Sequence, residues 1–365
     1  MEKEYITSPF ISIYPNNKNY TVYSMLVNEE LSINSKHLQI IKYCKNATRR
    51  SDLFNIFGEK DICYLFDRKV LIVNEDIWKL SNLVVCEIET CTTCNYKCIY
   101  CPNIYAKRMD QVMELDLFKR IIEKVMEHRT FQIITFNLYN EPLLDPFLID
   151  RLKILSHTTL KFVLNTNGSK LNSEKIAMIK KIKIPHEIYF NIPSLDAQKY
   201  FNMTKGNLNV VLNNLDECIN AGFKVTIAIN GLPKNQMDDF NTISQKYATS
   251  RNVSVVKWET TDRAGNLNNK FNQNIDIKSR LSGCKQFINY LQIDVNGNII
   301  LCCNDYHKKY SFGNILEHSI QQIICSYKYT EYKKLIFGNI ISDEKILCNK
   351  CNEMLKNNIF SRLLK

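Results

Sequence analysis

Three cysteines, in Cys94-Asn-Tyr-Lys-Cys98-Ile-Tyr-Cys101, constrain this chain more than any other feature. They follow an apolar, β-branched run, Leu83-Val-Val-Cys-Glu-Ile-Glu-Thr90, which reads as a buried strand. A strand that ends in a loop with three thiols can hold three corners of a cube-like iron–sulfur cluster. The fourth iron is then left without a protein ligand, and a metal with an open position does chemistry as well as scaffolding. A structural zinc site is the alternative. Zinc sites draw on paired CxxC units. Cys91-Thr-Thr-Cys94 is one such pair, whereas the CxxxCxxC spacing is not.

The chain of 365 residues has room for two or three domains, at ~100–200 residues each. Its hydrophobic content of 45% and aromatic content of 11% support a sizeable core. No apolar run approaches the ~18 residues of a membrane-spanning helix. The opening Met1-Glu-Lys-Glu-Tyr5 carries no apolar signal region, so a cytoplasmic protein is expected. Fourteen cysteines in such a chain argue for metal or redox chemistry, not disulfides. The formal charge of +11 is scattered along the sequence. It reads as solvated surface, with neither nucleic acid nor membrane as partner.

Three stretches differ in pattern. In the first, strand-like runs Phe10–Tyr14 and Tyr20–Val27 flank the turn signal Pro15-Asn-Asn-Lys18. Helical spacing follows over Ser32–Cys44 and Arg50–Phe57, with a third segment over Asp61–Val73. From Leu83 onward strands and helices alternate. Strands are predicted at Val84–Thr90, Gln132–Leu138, Lys161–Asn165, Glu187–Ile192, Lys224–Asn230 and Val253–Glu259, with a clear helix over Leu115–Met126. Six βα units predict an α/β fold with a parallel sheet and right-handed connections. Six are too few for a closed eight-stranded barrel. In such folds the site lies at the C-terminal ends of the strands, where Cys94, Cys98 and Cys101 fall.

Tyr100 between the last two cysteines and Pro102-Asn103 after them complete a pattern that resembles the radical S-adenosylmethionine (SAM) superfamily. The resemblance implies a partial (β/α)6 TIM-like barrel, a 4Fe–4S cluster on Cys94, Cys98 and Cys101, and SAM bound to its open iron. Reductive cleavage of SAM would then yield a 5′-deoxyadenosyl radical. Tyr100 would pack on the adenine. Tyr139-Asn-Glu-Pro142 resembles the superfamily's Gly-Gly-Glu-Pro element, with Asn140 and Glu141 placed toward the SAM amino group and the two glycines missing. Strand ends offer further expected contacts. They are Asn191 and Ser194 in Phe190-Asn-Ile-Pro-Ser-Leu-Asp196, Asn230 before Gly231, and Arg263, which could pair with a carboxylate. Asn and Ser at strand ends are also common turn formers.

Near the C-terminus, Cys284, then Gly297, four residues and Cys302 precede Cys348-Asn-Lys-Cys351. Asp294-Val-Asn-Gly297 is a hairpin signal. This pattern resembles the SPASM/Twitch extension. It implies one auxiliary 4Fe–4S cluster on Cys284, Cys302, Cys348 and Cys351, and zinc would fit the same spacing. Cys303, beside a ligand, is either a small core residue or a hydrogen-atom donor of the kind that peptide epimerases of the superfamily use.

The layout of residues 1–80 resembles the winged-helix-like peptide-recognition module of enzymes that modify ribosomally made peptides, which adds a leader peptide as a strand. The expected organisation is therefore that module (1–80), the radical SAM barrel (81–265) and a small cluster-binding domain (266–365). The expected function is hydrogen abstraction from a ribosomally synthesised precursor peptide, ending in crosslinking, thioether formation or epimerisation. A flavodoxin or ferredoxin would donate electrons. The alternative is a Twitch-type dehydrogenase acting on a small-molecule alcohol.

Overall fold

Two small antiparallel sheets stand at the start of the chain. Strand β1 (Glu4–Thr7) will lie in one, with β2 (Ile11–Asn16), β3 (Asn19–Ser24) and β4 (Glu29–Ile33) forming a meander in the other. β5 (Thr48–Arg49) and β6 (Leu71–Val73) flank β1. The structure is a computed structural model. It describes residues 2–351 apart from 17, 18, 107, 183, 185, 231, 232, 259, 268–280, 282 and 341–345.

Three helices follow the meander. Ser35–Tyr43 starts at Asn34, whose side chain accepts from the His37 amide, as a good N-cap does. Arg50–Phe57 and Glu59–Asp67 are separated by Gly58 at φ 86°, a left-handed turn that suits glycine. The segment read from sequence as Asp61–Val73 is thus a helix and then β6, because the chain reverses at Lys69 (φ 57°). Ile11, Ile13, Val22, Leu31, Ile33, Ile41, Leu53, Ile62 and Leu65 close one core between sheet and helices.

By contact the chain divides into two units, Met1–Leu83 with Asp276–Tyr290 and Gln321–Lys365, and Val84–Ile275 with Leu291–Ile320. Within the first unit the late segments are built into the early ones. Asn289 donates to the carbonyls of Met25 (2.8 Å) and Asn82 (3.0 Å). Phe337, which follows the helix Tyr327–Ile336, meets Phe10 edge-on with centroids 4.9 Å apart.

The second unit holds the alternating βα units. β7 (Val85–Ile88), β8 (Ile133–Thr135), β9 (Lys161–Thr166), β10 (His186–Asn191), β11 (Lys224–Ile229) and β12 (Val253–Lys257) pair in parallel, each with the next. β13 (Tyr290–Ile293), β14 (Asn298–Ile300) and β15 (Ser311–Asn314) extend the same sheet beyond β7 as antiparallel neighbours of one another. The six parallel strands form the partial TIM-like barrel, all six near their predicted positions but mostly shorter. Helix Leu115–His128 packs on them through Phe118, Ile121, Ile122 and Val125, the i, i+3, i+4, i+7 stripe that defines a helix face.

Candidate active site

The loop after β7 carries the three thiols and is tied down at both ends. Its stems zip together through Thr92 N to Gln111 O (3.0 Å) and Met113 N to Thr90 O (2.8 Å). The amides of Lys97 and Ile99 donate to the carbonyls of Thr204 (3.0 Å) and Met203 (2.9 Å), at the end of helix Ala197–Thr204. Tyr96 is buried; its hydroxyl meets that of Tyr200 at 3.3 Å. A Cβ on Gly206 would overlap the Tyr96 ring, so glycine is required there for the loop to seat.

Cys94, Cys98 and Cys101 are all half-buried. Burial pushes the Cys94 thiol up to about 12 and raises Cys98 and Cys101 too. The Arg263 and Arg108 charges oppose the shift at Cys101. Tyr100 is also raised by burial and hydrogen-bonds Cys98. Among the described residues, no three Cys, His, Asp or Glu side chains are grouped to hold a single metal ion.

The turn after β8 is held in an unusual way. Tyr139 adopts φ 71°, the left-handed conformation that glycine takes without cost. Its carbonyl accepts from the Asn103 side chain (2.6 Å) and from Arg108 (3.4 Å). Asn140 turns its amide inward, accepting from the Leu138 amide (2.8 Å) and donating to Phe136 O (3.1 Å) and the Cys91 sulfur (3.6 Å). Glu141 is buried and accepts from Thr166 Oγ1 (2.6 Å), Asn167 N (2.8 Å) and Leu143 N (3.2 Å). Both side chains therefore brace the loop, and the Glu141 amide is likewise turned inward, donating to Thr93 O at 2.8 Å. Cys91, fully buried, is the anchor of that turn.

Other sequence-predicted positions gather at the same strand ends. Asn191 ends β10, half-buried. Ser194 is buried and accepts from the Asp196 amide at 3.1 Å. Asn230 follows β11, and its Oδ1 is buried without a hydrogen-bond partner among the described residues. Arg263 and Ala264 take consecutive positive φ values, 50° and 56°. The Arg263 guanidinium stands 5.9 Å from the centre of the Tyr139 ring. Tyr139 lies within electrostatic reach of Cys101, Cys302 and Cys303, and its hydroxyl is buried and unpartnered among the described residues.

Cys302 and Cys303 sit in the turn after β14, both half-buried. Cys284, Cys348 and Cys351 belong to the first unit. There Cys284 precedes helix Lys285–Asn289, and Cys348 and Cys351 flank one tight turn joined by Cys351 N to Cys348 O at 3.2 Å.

The sequence reading passed over a charged bolt. Glu89, fully buried, binds Arg108, Lys308 and the Val295 amide (3.4 Å). Glu87, two residues earlier, has only neutral partners among the described residues, Gln292 (2.9 Å) and Asn137. The signal was present as two glutamates at alternate positions of an otherwise apolar strand.

The donor set suits the groups that the motif implies. Three half-buried thiols on one pinned loop match a cluster with one open iron. The orphaned polar atoms of Asn230 and Tyr139 mark places for a polar ligand. The family model for the radical SAM superfamily matches residues 88–246, and that for the SPASM iron–sulfur cluster-binding domain matches residues 284–352. An S-adenosyl-L-methionine-dependent 2-deoxy-scyllo-inosamine dehydrogenase of Niallia circulans is 23% identical over 284 residues, 76% of this chain and 94% of the relative. Streptococcus suis SuiB, solved with its precursor peptide SuiA, shares the fold at a TM-score of 0.58 with 14% identity, over 98% of this chain and 97% of SuiB. BtrN, solved with AdoMet and 2-DOIA, aligns at a TM-score of 0.51 with 21% identity, over 74% of this chain and 93% of BtrN. The two domains imply a SAM-binding 4Fe–4S cluster, an auxiliary iron–sulfur cluster and SAM itself. The chain belongs to the radical SAM superfamily, as an enzyme that joins a radical SAM barrel to a C-terminal SPASM domain.

Proposed function

We propose that this enzyme abstracts a hydrogen atom from a ribosomally made precursor peptide, captured by the N-terminal strands and helices. The observation that carries this reading is the β2–β3–β4 meander, in which β4 pairs on one side only among the described residues. Its Glu29, Glu30 and Ser32 are exposed while Leu31 and Ile33 reach the core. A sheet edge of this kind accepts an extended peptide through main-chain hydrogen bonds. The likeness to peptide-bound SuiB runs over nearly the whole chain, this region included.

In this reading Cys94, Cys98 and Cys101 hold the SAM cluster. Tyr100, the turn at Asn140 and Glu141, and Asn191, Ser194, Asn230 and Arg263 surround SAM. SAM and its cluster supply, when bound, the 5′-deoxyadenosyl radical. Cys284, Cys302, Cys348 and Cys351 hold the auxiliary cluster, and a flavodoxin or ferredoxin donates electrons. Cys303 is the hydrogen-atom donor for an epimerising outcome.

Deleting the first 80 residues would strip the first unit of most of its core, so a point change is the better test. Ser32→Pro places at the free edge a residue without an amide hydrogen. Peptide affinity should fall by about tenfold or more, equivalent to about 1.4 kcal/mol, while iron content stays at the wild-type level as proof of folding. Unchanged peptide affinity would remove this reading. A second reading, oxidation of a small-molecule alcohol, draws on the Niallia circulans dehydrogenase, of which this chain covers 94%.

A further inference from the structure

Two carboxylates, Glu87 in β7 and Glu89 just beyond its end, are treated in opposite ways. Glu89 has Arg108 and Lys308 as counter-charges. Among the described residues Glu87 has none, and its partners are the amides of Gln292 and Asn137. It faces away from Cys86 and Ile88, which are fully buried on the other side of the strand. It keeps partial exposure. The strands beside β7 bring no charge to it. β8 offers Thr135, directly opposite, and β13 offers Gln292.

A band of donors and rings continues from Glu87 across the sheet. Asn165 of β9 donates to Thr135 Oγ1 (3.0 Å) and Asn137 Oδ1 (2.9 Å). Tyr189 of β10 stands opposite Asn165 in register and stacks on Trp258 at 6.0 Å. Trp258 is 41% exposed. The band thus offers one uncompensated carboxyl, an amide frame and two aromatic faces. Carboxylates and aromatic faces both attract an organic cation.

We propose that this band is a substrate subsite in which Glu87 takes an ammonium group beside Gln292 and Asn137, with Asn165, Tyr189 and Trp258 farther along the band for the rest of the substrate. The subsite deepens the peptide reading and rests on it for the source of that group, a lysine side chain. An amine on a cyclitol carries the same chemistry. Burial holds the Glu87 carboxyl up to about 7, so the charged form that attracts the ammonium is present above that pH and lost below it.

The test uses SAM-loaded holoenzyme under anaerobic conditions, with ligand-observed NMR titration of two probe pairs. One pair is a short lysine peptide and its Nε-acetyl form. The other is 2-deoxy-scyllo-inosamine and the cyclitol with a hydroxyl in place of the amine. At pH 8 the amine member of at least one pair should bind about tenfold tighter or more, the scale of one charge-assisted contact. The preference should shrink at pH 6 and vanish in Glu87→Gln, and Glu87→Asp should retain part of it. Iron content and melting temperature check that both variants fold. Preference for the cyclitol amine alone would uphold the subsite and remove the peptide reading. No preference in either pair, or one that survives in Glu87→Gln, would overturn the subsite and leave the peptide reading to the Ser32→Pro test.

Discussion

A tyrosine stands where the superfamily element has glycine. Tyr139 at φ 71° carries a left-handed strain of about 1–2 kcal/mol. The strain is offset by the bonds its carbonyl accepts from Asn103 and Arg108 and by its edge-on contact with Tyr306, the ring pair adding about 0.5–1.5 kcal/mol. The missing glycine was visible in the sequence; the backbone that results was not, because it depends on residues 30 or more positions away. Gly206 shows the converse. Nothing in its neighbourhood in the sequence marks it, yet the Tyr96 ring fills the space a side chain would need. Gly206→Ala should displace the thiol loop and empty the SAM-site cluster, leaving the auxiliary cluster in place. Iron analysis with EPR would show this as roughly half the wild-type iron, and full iron would refute the packing argument.

At the scale of elements, hydrophobic periodicity made the βα alternation readable. Helix Leu115–His128 buries Phe118, Ile121, Ile122 and Val125 as its spacing demands. The small strands β1, β5 and β15 were harder to see, since two- to four-residue strands have too few positions to show alternation, whereas the turn signal at Asp294–Gly297 marked the β13–β14 hairpin. Helix Tyr327–Ile336 hides another feature. Lys333 is fully buried, donating to Leu80 O (2.7 Å) and Ser81 Oγ (2.9 Å). Burial pulls it down to about 7. An unfolded lysine titrates near ~10.4, so between these values the unfolded chain binds more protons. Stability of the first unit should therefore rise from pH 7 toward pH 9. In Lys333→Met that rise should be smaller. Urea unfolding at the two pH values measures it, and equal slopes in both proteins would contradict the burial of this amine.

For the whole molecule, the cysteines told the most and the units told the rest. CxxxCxxC after a strand was enough to place a cluster-bearing loop at the strand ends of a partial barrel, because strand polarity fixes where such loops emerge. The sequence divides the chain in three successive stretches. The structure draws its first unit from three separate ones, a long-range grouping that periodicity cannot express.

We propose that Cys94, Cys98 and Cys101 hold a cluster that opens SAM, beside a second cluster held elsewhere. One anaerobic comparison tests it. Reconstituted wild-type protein should hold roughly eight irons per chain and form 5′-deoxyadenosine on reduction. The variant with all three cysteines replaced by Ala should hold roughly four irons and form none. Iron left at the wild-type level, continued 5′-deoxyadenosine formation, or zinc in place of iron would contradict the account.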